Sequence, residues 1–419
     1  MLALSVAVVA LTGFYLADLF RETAVDEGNL AKFASALKGF EDKAPASLLK
    51  SDGSGGYHFG RWKSPIKDLS FMSEKGLQAP SSREFVKLKR WDYMSLGDDR
   101  YFVALAMVHI NYLEEVFVYA VDLANPTKKF EYLSRRPPFT LDFASSSVSG
   151  CTAHAADPFH LEAKSLSTCF DDKDNLFRIS INLPLTAADG ETRHLLASFA
   201  VTPQEDLVIS FPLGGSSSRP AYVHKSAGMT AVGNIKFFGA EGGAKGDEGH
   251  YFDGLASIDW TKSLALRTTT WNWLSVSGRA TVKTHTTDAA GKVNTETAQG
   301  DFGINLSARV YDVEGESVEN GFWLNHTVYP LAGAKFELPK EPLRDQWKVV
   351  SLNGETFSLT FSPMGAREDH TNLGLVVSDF IQPFGYVSGT VKIPAGNSVV
   401  HEVIIEKVFG VVEDHYAVW

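Results

Sequence analysis

Tyr101–Val108 reads YFVALAMV, and Glu115–Val121 reads EVFVYAV. Both are short, apolar and rich in β-branched and aromatic residues, and a polar break separates them. Such a pair predicts two neighbouring strands rather than a helix. Leu176–Ile181, His194–Val201 and Leu207–Phe211 repeat the pattern, with turns at Ala188-Asp189-Gly190 and Asn125-Pro126. The second half continues with Gly233–Phe238, Leu264–Val276, Phe302–Val310, Thr356–Phe361, Gly374–Phe380 and Val399–Val411. No stretch after residue 45 has the periodicity of a long amphipathic helix. An alternating βαβ chain, and with it a parallel-sheet enzyme, is therefore excluded, and the fold class expected is all-β and antiparallel.

Composition agrees. The 419 residues include 28 Phe, 13 Tyr, 8 Trp and 35 Gly, a mixture suited to pleated, half-buried surfaces. Lys plus Arg number 39 against 50 Asp plus Glu, a net charge of -11. An acidic chain is a poor general ligand for nucleic acid, which recruits cations to its phosphates. There are 2 Cys, too few for a disulfide scaffold. Cys151 and Cys169 are read either as one bonded pair or as two free thiols.

Met1–Ala17 (MLALSVAVVALTGFYLA) carries no charged side chain. A membrane span needs about 20 apolar residues, so this run sits at the short limit. It is read as a membrane anchor or signal-like segment, with a buried helix as the other option. Asp18, Glu22, Asp26 and Glu27 follow it with only Arg21 among them. That acidic flank does not fit a retained cytoplasmic side, so a membrane-anchored, exported body is expected. Leu30, Phe33, Leu37 and Phe40 then recur at helical spacing, with Asn29 as the expected N-cap. Gly214–Ser218 (GGSSS) is the expected linker. It divides the chain into an N-terminal segment 1–45 and two barrel-sized halves, 46–213 and 219–419. Gly239–Gly249 is expected as a flexible hairpin tip.

Strong catalytic motifs are absent: there is no GxSxG, HExxH, phosphate loop or CxxC. His250 lies among Asp247, Glu248 and Asp253, more simply a solvated acidic loop than a cation site. The densest unusual segment is Asp259–Gly278 (DWTKSLALRTTTWNWLSVSG). Trp271 and Trp273 are two apart and share a strand face, and Arg267 would join them by alternation. This face is either an aromatic cavity wall with one cation or a structural Trp core with an Arg at its rim. At the C-terminus, Glu413, His415, Ala417 and Trp419 alternate onto one face. Glu and His there would suit proton transfer to an apolar substrate, and an exposed edge strand is the plainer option.

Several ordered pieces resemble the family of domain of unknown function 2804. They are Trp91-Asp92-Tyr93, His224-Lys225 with Gly228, Thr270-Trp271-Asn272-Trp273 with Gly278, Gly303-Ile304-Asn305-Leu306 and Glu319-Asn320. Further along come Asp345-Gln346-Trp347, Phe361-Ser362-Pro363, Gln382-Pro383-Phe384-Gly385 with Ser388-Gly389, and Glu413-Asp414-His415. The resemblance spans about 57–419. That family is similar to lipocalin-like double-barrel proteins such as hydroxyneurosporene synthase and tocopherol cyclase. The resemblance implies two lipocalin-like barrels in tandem and an apolar ligand, and it assigns no acid or base.

Two functions are therefore expected. One is binding of a lipid, polyene or other apolar molecule in a barrel cavity at a membrane surface. The other is a hydratase, cyclase or isomerase that needs no cofactor and protonates an apolar polyene through a carboxylic acid. Glu319, Asp259 and Glu413 are the candidate acids. Arg267, Trp271, Trp273, His415 and Trp419 are the candidate ligand contacts. No metal is expected. A scaffold with filled barrels is the third option.

Overall fold

In the computed structural model, the described residues are 25–52, 55–76, 82–138, 140–157, 164–239, 249–372, 374, 376–396 and 398–419. The chain is all-β, with two large antiparallel sheets. The first contains β1 (Gly60–Trp62), β2 (Leu88–Gly97), β3 (Tyr101–His109), β4 (Glu114–Asp122), β5 (Lys129–Arg136), β6 (Leu141–Asp142), β7 (Gly150–His154), β8 (Leu166–Asp171), β9 (Leu176–Ala187), β10 (Thr192–Val201), β11 (Leu207–Pro212), β12 (Pro220–Gly239) and β13 (His250–Leu264). Pairing runs β12-β13-β2-β3-β4-β5-β9-β10 and returns to β12, so eight strands close a ring. Its inner face is filled by side chains such as Met94, Leu96, Val103, Leu105, Val116 and Val118.

The remaining strands are β14 (Thr268–Thr287), β15 (Val293–Ala308), β16 (Asp312–Val313), β17 (Glu316–Ser317), β18 (Gly321–Leu324), β19 (Thr327–Pro330), β20 (Ala334–Glu337), β21 (Trp347–Ser351), β22 (Phe357–Asn372), β23 (Val377–Pro394) and β24 (Val399–Val418). Nine of them form a sheet in the order β19-β18-β15-β14-β24-β23-β22-β21-β20, with β16 and β17 as a separate ribbon. This second sheet curls over its own core, which includes Leu274, Phe302, Leu306, Trp347, Phe361 and Val412. Its end strands are not paired with each other.

The sheets part at Ala265–Arg267, between β13 and β14, and not at Gly214–Ser218. β12 and β13 follow the expected linker yet belong to the first sheet, because they complete its ring. Gly214 and Gly215 form a short 3-10 turn buried under the N-terminal helical segment. There Gly214 O accepts from the Asp26 N–H at 3.0 Å. Gly239 through Gly249 lies almost wholly outside the described residues. Cys151 and Cys169 face each other on β7 and β8 and form a disulfide.

The expected anchored, exported body is corrected. Met1–Ala17 lies outside the described residues. Among those described, no helix is long and apolar enough to cross a membrane. A six-residue helix spans Ser82–Lys87; toward the N-terminus the described helical segment is the short run Glu27–Lys38, not an apolar span. Its N-cap is Asp26, whose carboxylate accepts from the Asn29 N–H at 2.9 Å; Asn29 lies inside the first turn. Leu30 and Leu37 are buried against Ile209 and Phe211 of β11, with Trp323 of β18 in the same cluster. The helix is thus a cover over the sheet junction.

The two sheets touch closely at one point. A Cβ added at Gly303 would lie 2.1 Å from the Ala227 carbonyl, and one at Gly228 would lie 2.8 Å from Phe302 C. Gly228 also has φ +82° and sits at a bulge in the β12–β13 pairing. Only glycine fits a left-handed bulge pressed against another backbone.

Candidate active site between the sheets

Alternation decides what the seam contains. On β2, Met94 and Leu96 point into the first core, so Trp91 and Tyr93 point outward. On β14, Leu274 and Val276 point into the second core, so Trp271 and Trp273 point toward β2. Trp91 stacks on Trp271 with centroids 6.1 Å apart, and Tyr93 meets Trp273 edge-on at 5.2 Å. Beside these rings the sheets separate and leave a cavity of about 560 Å³. The space lies between the sheets, outside both cores. The expected barrel-interior site is corrected accordingly. A pocket beside Met94, Phe177 and Trp260 of the first core has about 10 Å³, room for about one water.

Of the sequence candidates, Trp271, Trp273, His415, Trp419, Glu413, Asp259 and Glu319 all line this cavity. Arg267 does not. It stands in the bend before β14, where strand alternation has not begun. Trp260 points the other way, into the first core beside Tyr222 and Phe143. β24 is no edge strand: it lies between β14 and β23, which buries Glu413 and His415.

The Glu413 carboxylate accepts from Trp271 Nε1 at 2.8 Å and from Gln382 Nε2 at 2.6 Å. Tyr119 in turn donates to Gln382 Oε1 at 2.8 Å, which orients the amide. Burial raises the Glu413 carboxyl to about 7, against the two donors that favour its ionised form. His415 is also buried, packs edge-on against Trp271 at 4.2 Å and is held by Ser378 at 3.0 Å. Burial lowers it to about 3, so it is neutral across the physiological range.

Next to Glu413 lies a second buried group. Lys225 Nζ bonds Asp259 Oδ2 and, at 2.9 Å, Glu319 Oε1. Burial works against the charge on Lys225, but the two carboxylates prevail and its pKa is raised. Burial also raises the Glu319 carboxyl, opposed by Lys225. Lys225 sits 5.2 Å from the Trp273 ring centroid. Asn305 fixes that ring by accepting from Trp273 Nε1 at 2.7 Å and then donates to the Glu319 carbonyl at 2.8 Å.

At the other end Arg367 reaches across the seam from β22. It donates to Glu115 at 2.7 Å and Glu131 at 3.1 Å, with its guanidinium 4.0 Å from the Phe117 ring centroid. Arg135 bonds Glu115 and Asp369. Sequence reasoning passed over Lys225, Gln382, Trp91 and Arg367 as site residues. Lys225 did carry a signal: it is a lone cation inside the apolar strand AYVHKSAGM.

Among the described residues, Asp98, Asp99 and His250 could converge on a cation. His250 and Asp98 already pair with each other, and none of the three lines the cavity.

The family model described as "Domain of unknown function (DUF2804)" matches residues 40–419. No curated protein matches the chain. Two solved structures are distantly similar. Kievitone hydratase from Nectria haematococca is 10% identical, with 90% of this chain and 98% of that one covered and a TM-score of 0.38. CghA is 9% identical, with 78% and 87% covered and a TM-score of 0.36.

Proposed function

For this chain, which belongs to the DUF2804 family, we propose an enzyme that needs no cofactor and hydrates, cyclises or isomerises an apolar unsaturated substrate by proton transfer. The observation that carries this reading is Glu413. It is a buried carboxyl raised to about 7, held by two neutral donors in a cavity walled by Trp91, Trp271 and Trp273. A group that exchanges its proton near neutrality is matched to general acid and base work.

In the first step, protonated Glu413 gives its proton to one carbon of a double bond. The neighbouring carbon becomes cationic, and Glu413 is left as carboxylate. The indole faces and that carboxylate both stabilise the positive charge. For hydration, water adds to the cation and its surplus proton returns to Glu413. For isomerisation or cyclisation, loss of a proton to Glu413 forms the new double bond. We read Lys225, Asp259 and Glu319 as the polar end that orients the substrate. In the architecture that goes with this reading, the second sheet is the wall of a second barrel, which its inward-facing core supports.

The test is incubation with apolar polyenes and unsaturated ketones in ¹⁸O-labelled or deuterated water, followed by mass spectrometry. Incorporation of label that Glu413→Gln abolishes supports the reading. Substrates recovered unlabelled and in stoichiometric complex would instead favour a binding protein, the second reading, which the apolar walls alone would serve.

A further inference from the structure

We propose that the ligand of this cavity carries no anionic group: the site takes neutral apolar molecules and discriminates against carboxylates, sulfonates and phosphates. This rests on reading the cavity as the substrate site, and it adds the charge class of the substrate. The observation is a count of partners. Lys225 is held between Asp259 and Glu319 at one end of the cavity. Arg367 is held between Glu115 and Glu131 at the other, and Arg135 between Glu115 and Asp369. These three cations thus face five carboxylates, Glu115, Glu131, Asp259, Glu319 and Asp369, before Glu413 is counted. Each cation already has two acidic partners. Both oxygens of Glu413 are bonded by neutral donors.

His370, which also lines the cavity, is paired with Asp379 and Glu368 in the same way, so an acidic head group would meet no cation to spare among the lining residues. It would have to expel a carboxylate from its partner or lie buried beside surplus negative charge, and either is costly in a low-dielectric site. A neutral ligand meets no such penalty, and the ring faces of Trp91 and Trp271 suit it. Arg267, the cation that the sequence offered for a head group, lies outside the lining.

Two fluorescent probes of nearly one shape decide the matter: N-phenyl-1-naphthylamine, which is neutral, and 8-anilino-1-naphthalenesulfonate, which is anionic. Each is titrated into the full chain and into Val108→Trp, a substitution that fills the cavity from β3. Leu113→Trp does the same from the β3–β4 turn and stands in if the first variant does not fold. Only binding lost in the filled variant counts. The expected result is one site for the neutral probe, with the sulfonate weaker by more than about tenfold. Glu413→Gln should narrow that gap by removing one acid. Equal or tighter cavity binding of the sulfonate overturns the proposal, and so does failure of the neutral probe to bind in the cavity. These results are separate from the proton-transfer reading. Label incorporation with equal probe affinities would sink the charge class alone, while probe discrimination without label incorporation would sink the catalytic role alone.

Discussion

Trp271 donates to Glu413 although its direct cross-strand partner is His415. On the β14–β24 pairing it is Trp273 that stands opposite Glu413. The hydrogen bond is thus a diagonal contact between positions offset by two residues, within reach of an indole. It leaves Trp271 stacked on Trp91 of the other sheet, so one side chain binds the acid and forms the cavity wall.

Glu413 predicts a pH dependence of stability. Its carboxyl has an ordinary value of 4.5 and is raised to about 7 in the folded chain. The folded state therefore holds the proton more tightly than the unfolded state. Below the lower value both states are protonated and no cost arises. Stability should fall as pH climbs from about 4.5 to about 7, by up to roughly 3 kcal/mol, and stay flat above. Urea unfolding across that window should show a flatter slope for Glu413→Gln than for the parent. Gln cannot accept from both donors, so its absolute stability should drop by about 1–3 kcal/mol at low pH. Parallel slopes in the two proteins would contradict the raised value.

Asp92 is the control. It is buried inside the first ring, bonded by Thr168 and raised by burial to about 6. Asp92→Asn should flatten the stability curve between its ordinary value of 3.8 and about 6, by the same sign argument. It should leave probe binding in the seam cavity unchanged, since Asp92 points into the first core. Lost binding would mean that the two spaces communicate.

Trp271 and Trp273 should behave differently although they share a face. Trp273 is buried and its N–H is satisfied by Asn305, so Trp273→Ala should cost about 3–5 kcal/mol in thermal or urea unfolding. Trp271 is half-buried on the cavity wall, and Trp271→Phe should cost less. Because it deletes a donor that favours the ionised form, it should raise the Glu413 pKa further. The pH at which labelled product formation is half-maximal should move upward in Trp271→Phe. A downward shift would deny the hydrogen bond any role in setting the acid.

Gly303→Ala tests how the sheets are held. The new methyl would meet the Ala227 carbonyl at 2.1 Å, backbone against backbone, so no side chain can move aside. The expected result is a loss of stability of several kcal/mol, or a widened seam with weaker neutral-probe binding. Unchanged stability and binding would show that the sheets do not meet as described.

The strands were legible because each is a local pattern. Tyr101–Val108 and Glu115–Val121 fall within β3 and β4, and Leu207–Phe211 within β11. Alternation alone put Trp271 with Trp273 and Glu413 with His415, since a strand's side chains change face at every residue. The same rule failed for Arg267, which precedes its strand. Linker composition misled at Gly214–Ser218, because small residues also serve where a helix must lie close to a turn.

The sequence by itself determined an all-β chain, its family, and which side chains share a strand face. Only the tertiary structure decided which faces meet. β12 and β13 join the first sheet because eight strands are needed to close the ring, and no local signal marks ring closure. Lys225, Asp259 and Glu319 converge from β12, β13 and the segment before β18 through long-range register and sheet packing. Burial turns Glu413 from an ordinary acid into one that titrates near neutrality. That depends on the first sheet covering it, a contact between positions far apart in the chain that strand periodicity cannot encode.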